Sequence, residues 1–267
     1  MKLLSINMYA FPSFHSWVAW VIGIPIQNLV HRPAVHRISN IMQNIPADID
    51  IIVAQEVWGS ANIESFLADA RKLGFVHSVV GTVSTWWPLL GSGLVTVSKI
   101  PIEYSMLGQY TQYMNDERFC AKGFILTRIN NMVIGNTHLQ SGLTAKTVRQ
   151  DQIRELIRHT VTFKEPGEAC LIAGDFNRDP SLAATPFNFV EFAGNTDYEN
   201  TSAIDGVLVT DGDCDVSVEV DRRFVAMDQT DHAALVVDVE PIHEVFTTWD
   251  RSESGGRLYR KKKLVLQ

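Results

Sequence analysis

Ala169-Cys170-Leu171-Ile172-Ala173-Gly174-Asp175-Phe176-Asn177 joins an apolar run to a carboxylate and an amide. Short apolar runs of this kind, closed by residues that favour turns, are typical of buried β-strands. We therefore predict a strand over Ala169–Asp175, in which Cys170 is a small buried hydrophobe. The strand ends on Asp175, so the fold carries a charged group at the edge of its core.

The same pattern recurs along the chain and indicates a layered α/β protein. Seven more apolar runs predict strands: Lys2–Asn7, Ile49–Gln55, Gly93–Ser98, Gly123–Ile129, Met132–His138, Ala203–Val209 and Ala233–Val239. Apolar residues at helical spacing predict three helices: Pro33–Ile45, Asn62–Leu73 and Thr144–Thr160. Strands cluster around 93–138, which favours sheets packed on one another with helices outside over a simple parallel sheet.

Composition is that of one globular domain. The chain has 267 residues, of which 46% are hydrophobic and 20% charged, so we predict one folded domain over 1–243 and a basic tail over 244–267. The net charge of −7 gives no general attraction to nucleic acid. Three scattered cysteines favour neither a disulfide framework nor a zinc site.

The apolar stretch Trp17–Ile26 is broken by Gly23 and Pro25 and is too short to span a bilayer. We assign no signal peptide and no transmembrane helix. The expected location is intracellular, either soluble or peripheral to a membrane.

Polar residues stand at the ends of several predicted strands. They are Asn7, Glu56, His138, Asp175, Asn177, Asp205, Asp231 and His232. Strand ends in layered α/β proteins open onto a common face where ligands bind. The set therefore predicts one active site.

Glu56 follows an apolar strand, where an unpaired charge is unfavourable. A hard cation such as Mg²⁺ would offset this, with Asn7 and Asp231 as further oxygen ligands. A helix cap or a salt bridge is the alternative explanation for Glu56.

Two histidines are candidates for proton transfer, since imidazole titrates near neutral pH. Asp205 would hydrogen-bond one nitrogen of His232 and raise the basicity of the other. A buried structural histidine is the alternative for His138.

If the chain stays extended after Asp175, Asn177 points the same way and both can position a water and a phosphoryl oxygen. An Asp/Asn turn is the alternative. Lys122, beside Gly123, can reach a phosphate, or it is an ordinary surface lysine.

Taken in order, these motifs resemble the endonuclease/exonuclease/phosphatase superfamily, whose fold is that of deoxyribonuclease I. Within it the chain is most similar to the neutral sphingomyelinases, on Gln55-Glu56-Val57-Trp58, Gly91-Ser92-Gly93-Leu94, Ala121-Lys122-Gly123-Phe124 and Asn136-Thr137-His138-Leu139-Gln140. The resemblance implies a four-layer sandwich of two mixed β-sheets flanked by helices. Thr230 departs from the family pattern, because a serine usually precedes the Asp-His pair.

The resemblance also implies a role for each residue in phosphodiester hydrolysis by an activated water. Glu56 and Asn7 would bind Mg²⁺, with Mn²⁺ as an alternative, and Asp231 would bind metal or support the base. His232, oriented by Asp205, would be the general base, and Asp175 would hold water. Asn177 and His138 would stabilise the transition state, and Lys122 would contact the phosphate.

Two aromatic stretches bear on the substrate: Phe11 to Trp20, and Thr85-Trp86-Trp87-Pro88-Leu89-Leu90. They suit a lipid–water interface, although a helical core stripe explains Trp17 and Trp20 equally well. We expect a monomer that hydrolyses a phospholipid headgroup, with peripheral membrane contact and no nucleic acid partner. A nuclease or a phosphoinositide phosphatase with the same chemistry, or a non-catalytic binding module, are the alternatives.

Overall fold

The computed structural model describes residues 1–11, 33–83, 91–114, 117, 119–177, 187–191, 193–210, 214–225, 229–241, 249–251 and 258–260. In these ranges the strands are β1 (Lys2–Ala10), β2 (Ile51–Val57), β3 (His77–Val80), β4 (Val95–Ser98), β5 (Tyr104–Gln109), β6 (Gly123–Ile129), β7 (Met132–His138), β8 (Ala169–Asp175), β9 (Phe187–Phe189), β10 (Asp205–Thr210), β11 (Cys214–Asp221), β12 (Ala234–Pro241), β13 (Trp249–Arg251) and β14 (Leu258–Arg260). The helices are α1 (Ala34–Gln43), α2 (Ser60–Lys72) and α3 (Lys146–Phe163).

Two six-stranded mixed sheets form the centre of the molecule. The first has the order β11-β12-β1-β2-β4-β3 and the second β5-β6-β7-β8-β10-β9. The pairs β1–β2 and β7–β8 are parallel, and the other pairs within these sheets are antiparallel. The predicted sandwich of two mixed sheets flanked by helices is confirmed.

Three apolar clusters separate the layers. One packs α1 and α2 on the outer face of the first sheet, and another packs α3 on the outer face of the second. The third lies between the sheets and includes Leu3, Ile51, Ile134, Leu171 and Val207. We call the space between the two sheets the seam.

Strand alternation decides which polar residues face the seam. On β8, Ala169, Leu171 and Ala173 pack in the seam, and Asp175 follows them with the same parity. On β1, Leu3 packs in the seam, and Asn7, four residues later, lies on the same face of the strand. The same strands therefore place apolar side chains in the middle of the seam and polar side chains at its end.

Within the two six-stranded sheets, four strands have no counterpart among the predictions: β3, β5, β9 and β11. Each is the outermost strand of its sheet. β10 and β11 occupy most of the segment between Asp205 and Asp231. Edge strands are exposed along one side, so they lack the continuous apolar run used to find the others.

The segment 244–267, expected to be a tail, contains the antiparallel pair β13–β14. Lys261, Lys262 and Lys263 lie outside the described residues. Within the described part of the chain, no helix combines the length and the apolar character needed to cross a membrane.

Candidate active site

Both sheets contribute to one polar cluster at the end of the seam. Strands β1 and β2 bring Asn7 and Glu56 from the first sheet, and β7, β8 and β10 bring His138, Asp175 and Asp205 from the second. Asp231 and His232 come from the segment just before β12. The convergence predicted from strand ends is present.

Asn7 is the centre of this cluster. Its Nδ2 lies 3.0 Å from Glu56 Oε1, 3.0 Å from Asp175 Oδ2 and 3.4 Å from His232 Nε2. The Asn7 side chain is fully buried. An amide group in contact with two carboxylates and an imidazole fixes their relative positions without adding charge.

Glu56 reaches the cluster through an unusual backbone. In β2, Ile52 and Ala54 face the helices, so regular alternation would turn Glu56 the same way. Its backbone is left-handed, with φ of 56°, and the β1–β2 register shifts between Asn7 and Ala10. This irregularity lets Glu56 meet Asn7, and strained backbone of this kind is common at functional sites.

His232 and Asp205 form the predicted pair. His232 Nδ1 lies 2.9 Å from Asp205 Oδ2, and both side chains are buried. The other ring nitrogen, Nε2, lies 3.9 Å from Asp175 Oδ2 and 4.0 Å from Asp231 Oδ1. Burial lowers the pKa of His232, but Asp205, Asp175 and Asp231 more than reverse this and hold the pKa well above its ordinary value.

His138 lies in the opposite electrostatic environment. Its Nε2 is 3.3 Å from Asp175 Oδ2 and 3.9 Å from Glu56 Oε1. Burial lowers the pKa of His138 well below its ordinary value, and the positive charges of Lys122 and His232 add to the effect. The pKa values of the two histidines are therefore shifted in opposite directions, which suits them to different roles in proton transfer.

The carboxylates fit a cation. Among the described residues, the buried atoms Glu56 Oε2 and Asp231 Oδ1 have no hydrogen-bond partner. Burial and the charge of Asp231 raise the pKa of Glu56 to about 7, and burial raises the pKa of Asp175 to about 6. A bound divalent cation would stabilise the ionised form of these carboxyl groups and would bind their unpaired oxygens.

Two overlapping groups of side chains could hold such an ion. Ligand atoms of Glu56, His138 and Asp175 lie within 4.8 Å of one another, as do those of Asp175, Asp205 and His232. The sequence-based metal set was Glu56, Asn7 and Asp231. The structure adds Asp175 and His138 to the side chains around Glu56, because parallel pairing of β7 and β8 aligns His138 with Asp175.

Asn177 differs from the expectation of extended backbone after Asp175. Its φ is 56°, and its backbone N–H donates to Asp175 Oδ1 at 2.7 Å, which closes a turn. Its side-chain Nδ2 donates to Leu139 O at 2.9 Å. The Asp/Asn turn is therefore present, and Asn177 lies beside the cluster because of that turn.

Lys122 is buried and paired, not a surface lysine. Its Nζ lies 2.6 Å from Glu117 Oε1 and 2.9 Å from Leu139 O. Lys122 also lies close enough to Glu56, Asp175 and His138 to lower the pKa of each. Glu117 had no sequence signal, since it stands outside every apolar run.

The aromatic stretches are only partly described. Phe14, Trp17, Trp20 and Thr85–Leu90 lie outside the described residues. Phe11 is described and contacts Tyr9 edge-on, with ring centroids 5.4 Å apart, and Trp58 at 6.0 Å. Trp58 in turn lies 6.5 Å from His138, so these aromatic rings adjoin the cluster.

Comparisons with known proteins agree with this geometry. Residues 4–232 match the model of the Endonuclease/Exonuclease/phosphatase family. Among curated proteins, none matches the chain significantly in sequence.

Similar solved structures share the fold at low identity. Sphingomyelinase C from Streptomyces griseocarneus is 17% identical, with 89% of this chain and 98% of that chain covered and a TM-score of 0.69. A mutant of beta toxin from Staphylococcus aureus with bound magnesium ions is 17% identical, with coverage of 88% and 98% and a TM-score of 0.68. The human Nocturnin catalytic domain is 14% identical, with coverage of 90% and 93% and a TM-score of 0.64.

At these identities the structural likeness establishes the fold, whereas the family match covers most of the chain. The family match confirms the resemblance that the motifs indicated. It also confirms the expected class of enzyme, a metal-dependent phosphoric diester hydrolase. The chain belongs to the endonuclease/exonuclease/phosphatase family.

Proposed function

We propose that the protein is a Mg²⁺-dependent phosphodiesterase that releases the phosphorylated headgroup of a phospholipid, with sphingomyelin as the first candidate. The observation that carries the proposal is the convergence of the His232–Asp205 pair with Asn7, Glu56 and Asp175 at the end of the seam. A base, an orienting carboxylate and oxygen ligands are the groups that phosphodiester hydrolysis by water requires.

Glu56 and Asp175 would hold the cation, together with Asp231 or His138. Asn7, whose Nδ2 donates to both carboxylates, would keep them in position. Bound there, Mg²⁺ would supply Lewis-acid polarisation of the phosphoryl group and neutralise its negative charge. Mn²⁺ has similar ligand preferences and is the alternative ion.

His232 would take the proton of the attacking water at Nε2. Asp205 accepts a hydrogen bond from Nδ1–H, so the lone pair of the neutral ring is on Nε2, which faces Asp175 and Asp231. When His232 is charged, the same carboxylate stabilises the imidazolium. Asp175 would orient the water, since it lies between the two histidines.

Charge that develops on the phosphoryl oxygens would be stabilised by His138, Asn177 and Lys122. His138 stays neutral at physiological pH, so it can donate a hydrogen bond without repelling the cation. Lys122 would contact the phosphate as a buried positive charge. Positive charge in a buried site is more effective than in water, because the surroundings screen it less.

Three features support a lipid headgroup over nucleic acid. The motifs that resemble sphingomyelinases include the Lys122 segment, the net charge is −7, and the described rings beside the cluster are Tyr9, Phe11 and Trp58. Nuclease clefts usually interleave aromatic residues with Arg and Lys. The enzyme would then meet its substrate at a lipid–water interface as a peripheral protein.

The test offers purified protein and Mg²⁺ four substrates in parallel: sphingomyelin, phosphatidylcholine, phosphoinositides and plasmid DNA. We expect phosphocholine release from sphingomyelin that EDTA and His232→Ala abolish. His36→Ala is the matched control, because His36 is exposed on α1. DNA cleavage without headgroup release would refute the lipid substrate, and activity that survives both EDTA and His232→Ala would refute the mechanism.

A further inference from the structure

Arg37 is a buried cation on the helix layer behind the cluster. It lies on α1, is 4% exposed, and stands next to core residues such as Ile38 and Ile41. A buried guanidinium is strongly unfavourable unless its N–H groups are paired. The hydrogen-bond partners of Arg37 therefore indicate which parts of the chain it holds together.

Those partners are two backbone carbonyls from distant parts of the chain. Arg37 Nη1 donates to Gln229 O at 2.7 Å, and Nη2 donates to Tyr9 O at 2.7 Å. The guanidinium carbon also lies 5.8 Å from the centroid of the Tyr9 ring. The two branches of the planar fork thus join β1 to the segment before β12.

Each of these carbonyls lies two residues from a side chain of the cluster. Tyr9 follows Asn7 by two residues, and Gln229 precedes Asp231 by two. Within the same region, Thr230 Oγ1 donates to Asn7 O at 2.7 Å, and the Tyr9 N–H donates to Asn7 Oδ1 at 2.9 Å. Arg37 thus closes a set of hydrogen bonds whose geometry determines where Asn7 and His232 face each other.

The backbone at Tyr9 requires such support. Its φ is 46°, which is uncommon for a bulky residue. Strained conformations of this kind persist only where neighbouring contacts hold them. The bond to Tyr9 O and the stacked guanidinium are two such contacts, and they act on the turn that follows Asn7.

We propose that Arg37 is a positioning residue: by bridging Tyr9 O and Gln229 O, it holds the Asp231–His232 segment in register with Asn7 for the reaction. It touches neither the phosphodiester nor the proposed metal ligands. The inference rests on the proposed function for its kinetic test, and its second readout is independent of activity.

The kinetic test compares Arg37→Lys with the unmodified protein, using sphingomyelin micelles and saturating Mg²⁺. Lysine keeps the charge but donates from a single nitrogen, so it cannot reproduce the planar fork. We expect kcat to fall about tenfold or more, because small misplacements of reacting groups are costly, while KM changes by about threefold at most.

Arg128→Lys is the matched control. Arg128 is also largely buried and binds a carbonyl, Phe163 O, as well as Glu168. It lies near the end of β6 that is remote from Lys122. We expect Arg128→Lys to lower the melting temperature as much as Arg37→Lys does, with kcat unchanged.

The activity-independent readout is the imidazole ¹⁵N–¹H spectrum of metal-free protein. Arg37→Lys should shift the His232 ring resonances and leave those of His77 and His159, which lie on β3 and α3, in place, even if no phosphodiester is hydrolysed. If the unmodified protein were inactive, the proposed function would fail while the spectrum still tested Arg37. Unchanged His232 resonances, an equal loss of kcat in Arg128→Lys, or failure of Arg37→Lys to fold would each overturn the positioning role.

Discussion

His232 and Asp205 are joined by a 2.9 Å contact between Nδ1 and Oδ2, across the gap between β10 and the segment before β12. Asp205 comes from the second sheet, and the chain after His232 enters the first. The general base of the proposed reaction is therefore oriented by the opposite sheet. Its alignment depends on how the two sheets pack.

Replacing Asp205 with asparagine should leave the fold intact and reduce activity strongly. The asparagine side chain has a similar size, but it could donate its amide N–H to the histidine and favour the wrong tautomer. In comparable pairs such a change costs about 10⁴-fold in kcat, and we expect about 10²- to 10⁴-fold here, measured as the initial rate of headgroup release. Asp48→Asn is the control, since Asp48 pairs with Lys2 at the surface. A loss below about threefold would contradict the orienting role.

Glu56→Gln should change how stability depends on pH in metal-free protein. The folded pKa of Glu56 is about 7 and its ordinary value is 4.5. Between these values the folded protein keeps a proton that the unfolded chain has lost, so the contribution of Glu56 to stability falls as pH rises through 7. Glutamine does not titrate, and the variant should therefore gain stability over the unmodified protein by up to roughly 3 kcal/mol near pH 8, since one pKa unit corresponds to about 1.4 kcal/mol.

Thermal melts in EDTA from pH 4.5 to pH 8 test this expectation. The difference between Glu56→Gln and the unmodified protein should increase with pH, whereas the exposed control Glu64→Gln should show none. Adding Mg²⁺ should stabilise the unmodified protein and have little effect on Glu56→Gln. A difference that is constant with pH would mean that the carboxylate is not strained by burial.

How much of this site follows from sequence alone depends on strand regularity. Asn7, His138, Asp175 and Asp205 lie in regular strands, so their parity with apolar neighbours predicts the face on which they lie. Glu56 and Asn177 have left-handed backbone conformations, which interrupt the regular alternation of side chains along a strand. Their positions after a strand and the family motifs both predict that they belong to the site, whereas the direction of their side chains does not follow from periodicity.

The fold shows the same division. Inner strands such as β6, β7 and β8 have the predicted bounds, because both faces are buried and the apolar run is continuous. The edge strand β5 alternates exposed and partly buried residues and was missed. Arg37 was missed for a different reason: its partners are backbone carbonyls, and any residue can supply a carbonyl.

Thr230 should tolerate serine but not valine. Its hydroxyl donates to Asn7 O at 2.7 Å and accepts from the His232 N–H at 3.2 Å. Thr230→Ser keeps both bonds, whereas Thr230→Val keeps the shape and leaves two buried backbone groups unpaired. We expect Thr230→Val to lose about 1–3 kcal/mol of unfolding free energy and about tenfold in kcat.

Urea unfolding and steady-state kinetics of the two Thr230 variants provide the measurement. Thr210→Val is the control, because it removes a buried hydroxyl that is remote from the cluster. The Thr210 hydroxyl accepts a hydrogen bond from the Cys170 N–H. This control variant should lose stability without losing kcat. Equal kcat for Thr230→Val and the unmodified protein would show that the hydroxyl does not align Asn7 with His232.

Gly93→Ala should destabilise the protein through Trp58. A Cβ at Gly93 would lie 2.8–2.9 Å from three atoms of the Trp58 ring, and the φ of Gly93 is 66°. Trp58 is fully buried and follows Glu56 by two residues, and the Val57 N–H donates to Gly93 O at 2.9 Å. The added methyl group therefore displaces either the indole or the turn that pairs with β2.

Gly142→Ala separates the clash from the backbone effect. Gly142 also has a positive φ, of 91°, but a Cβ there meets no atom within 4 Å. We expect Gly142→Ala to cost about 1 kcal/mol from backbone strain alone, and Gly93→Ala to cost about 1–3 kcal/mol more from overpacking. Because the clash lies next to Glu56, Gly93→Ala should also weaken activation by Mg²⁺. Equal losses in the two variants would mean that Trp58 does not pack on the glycine turn.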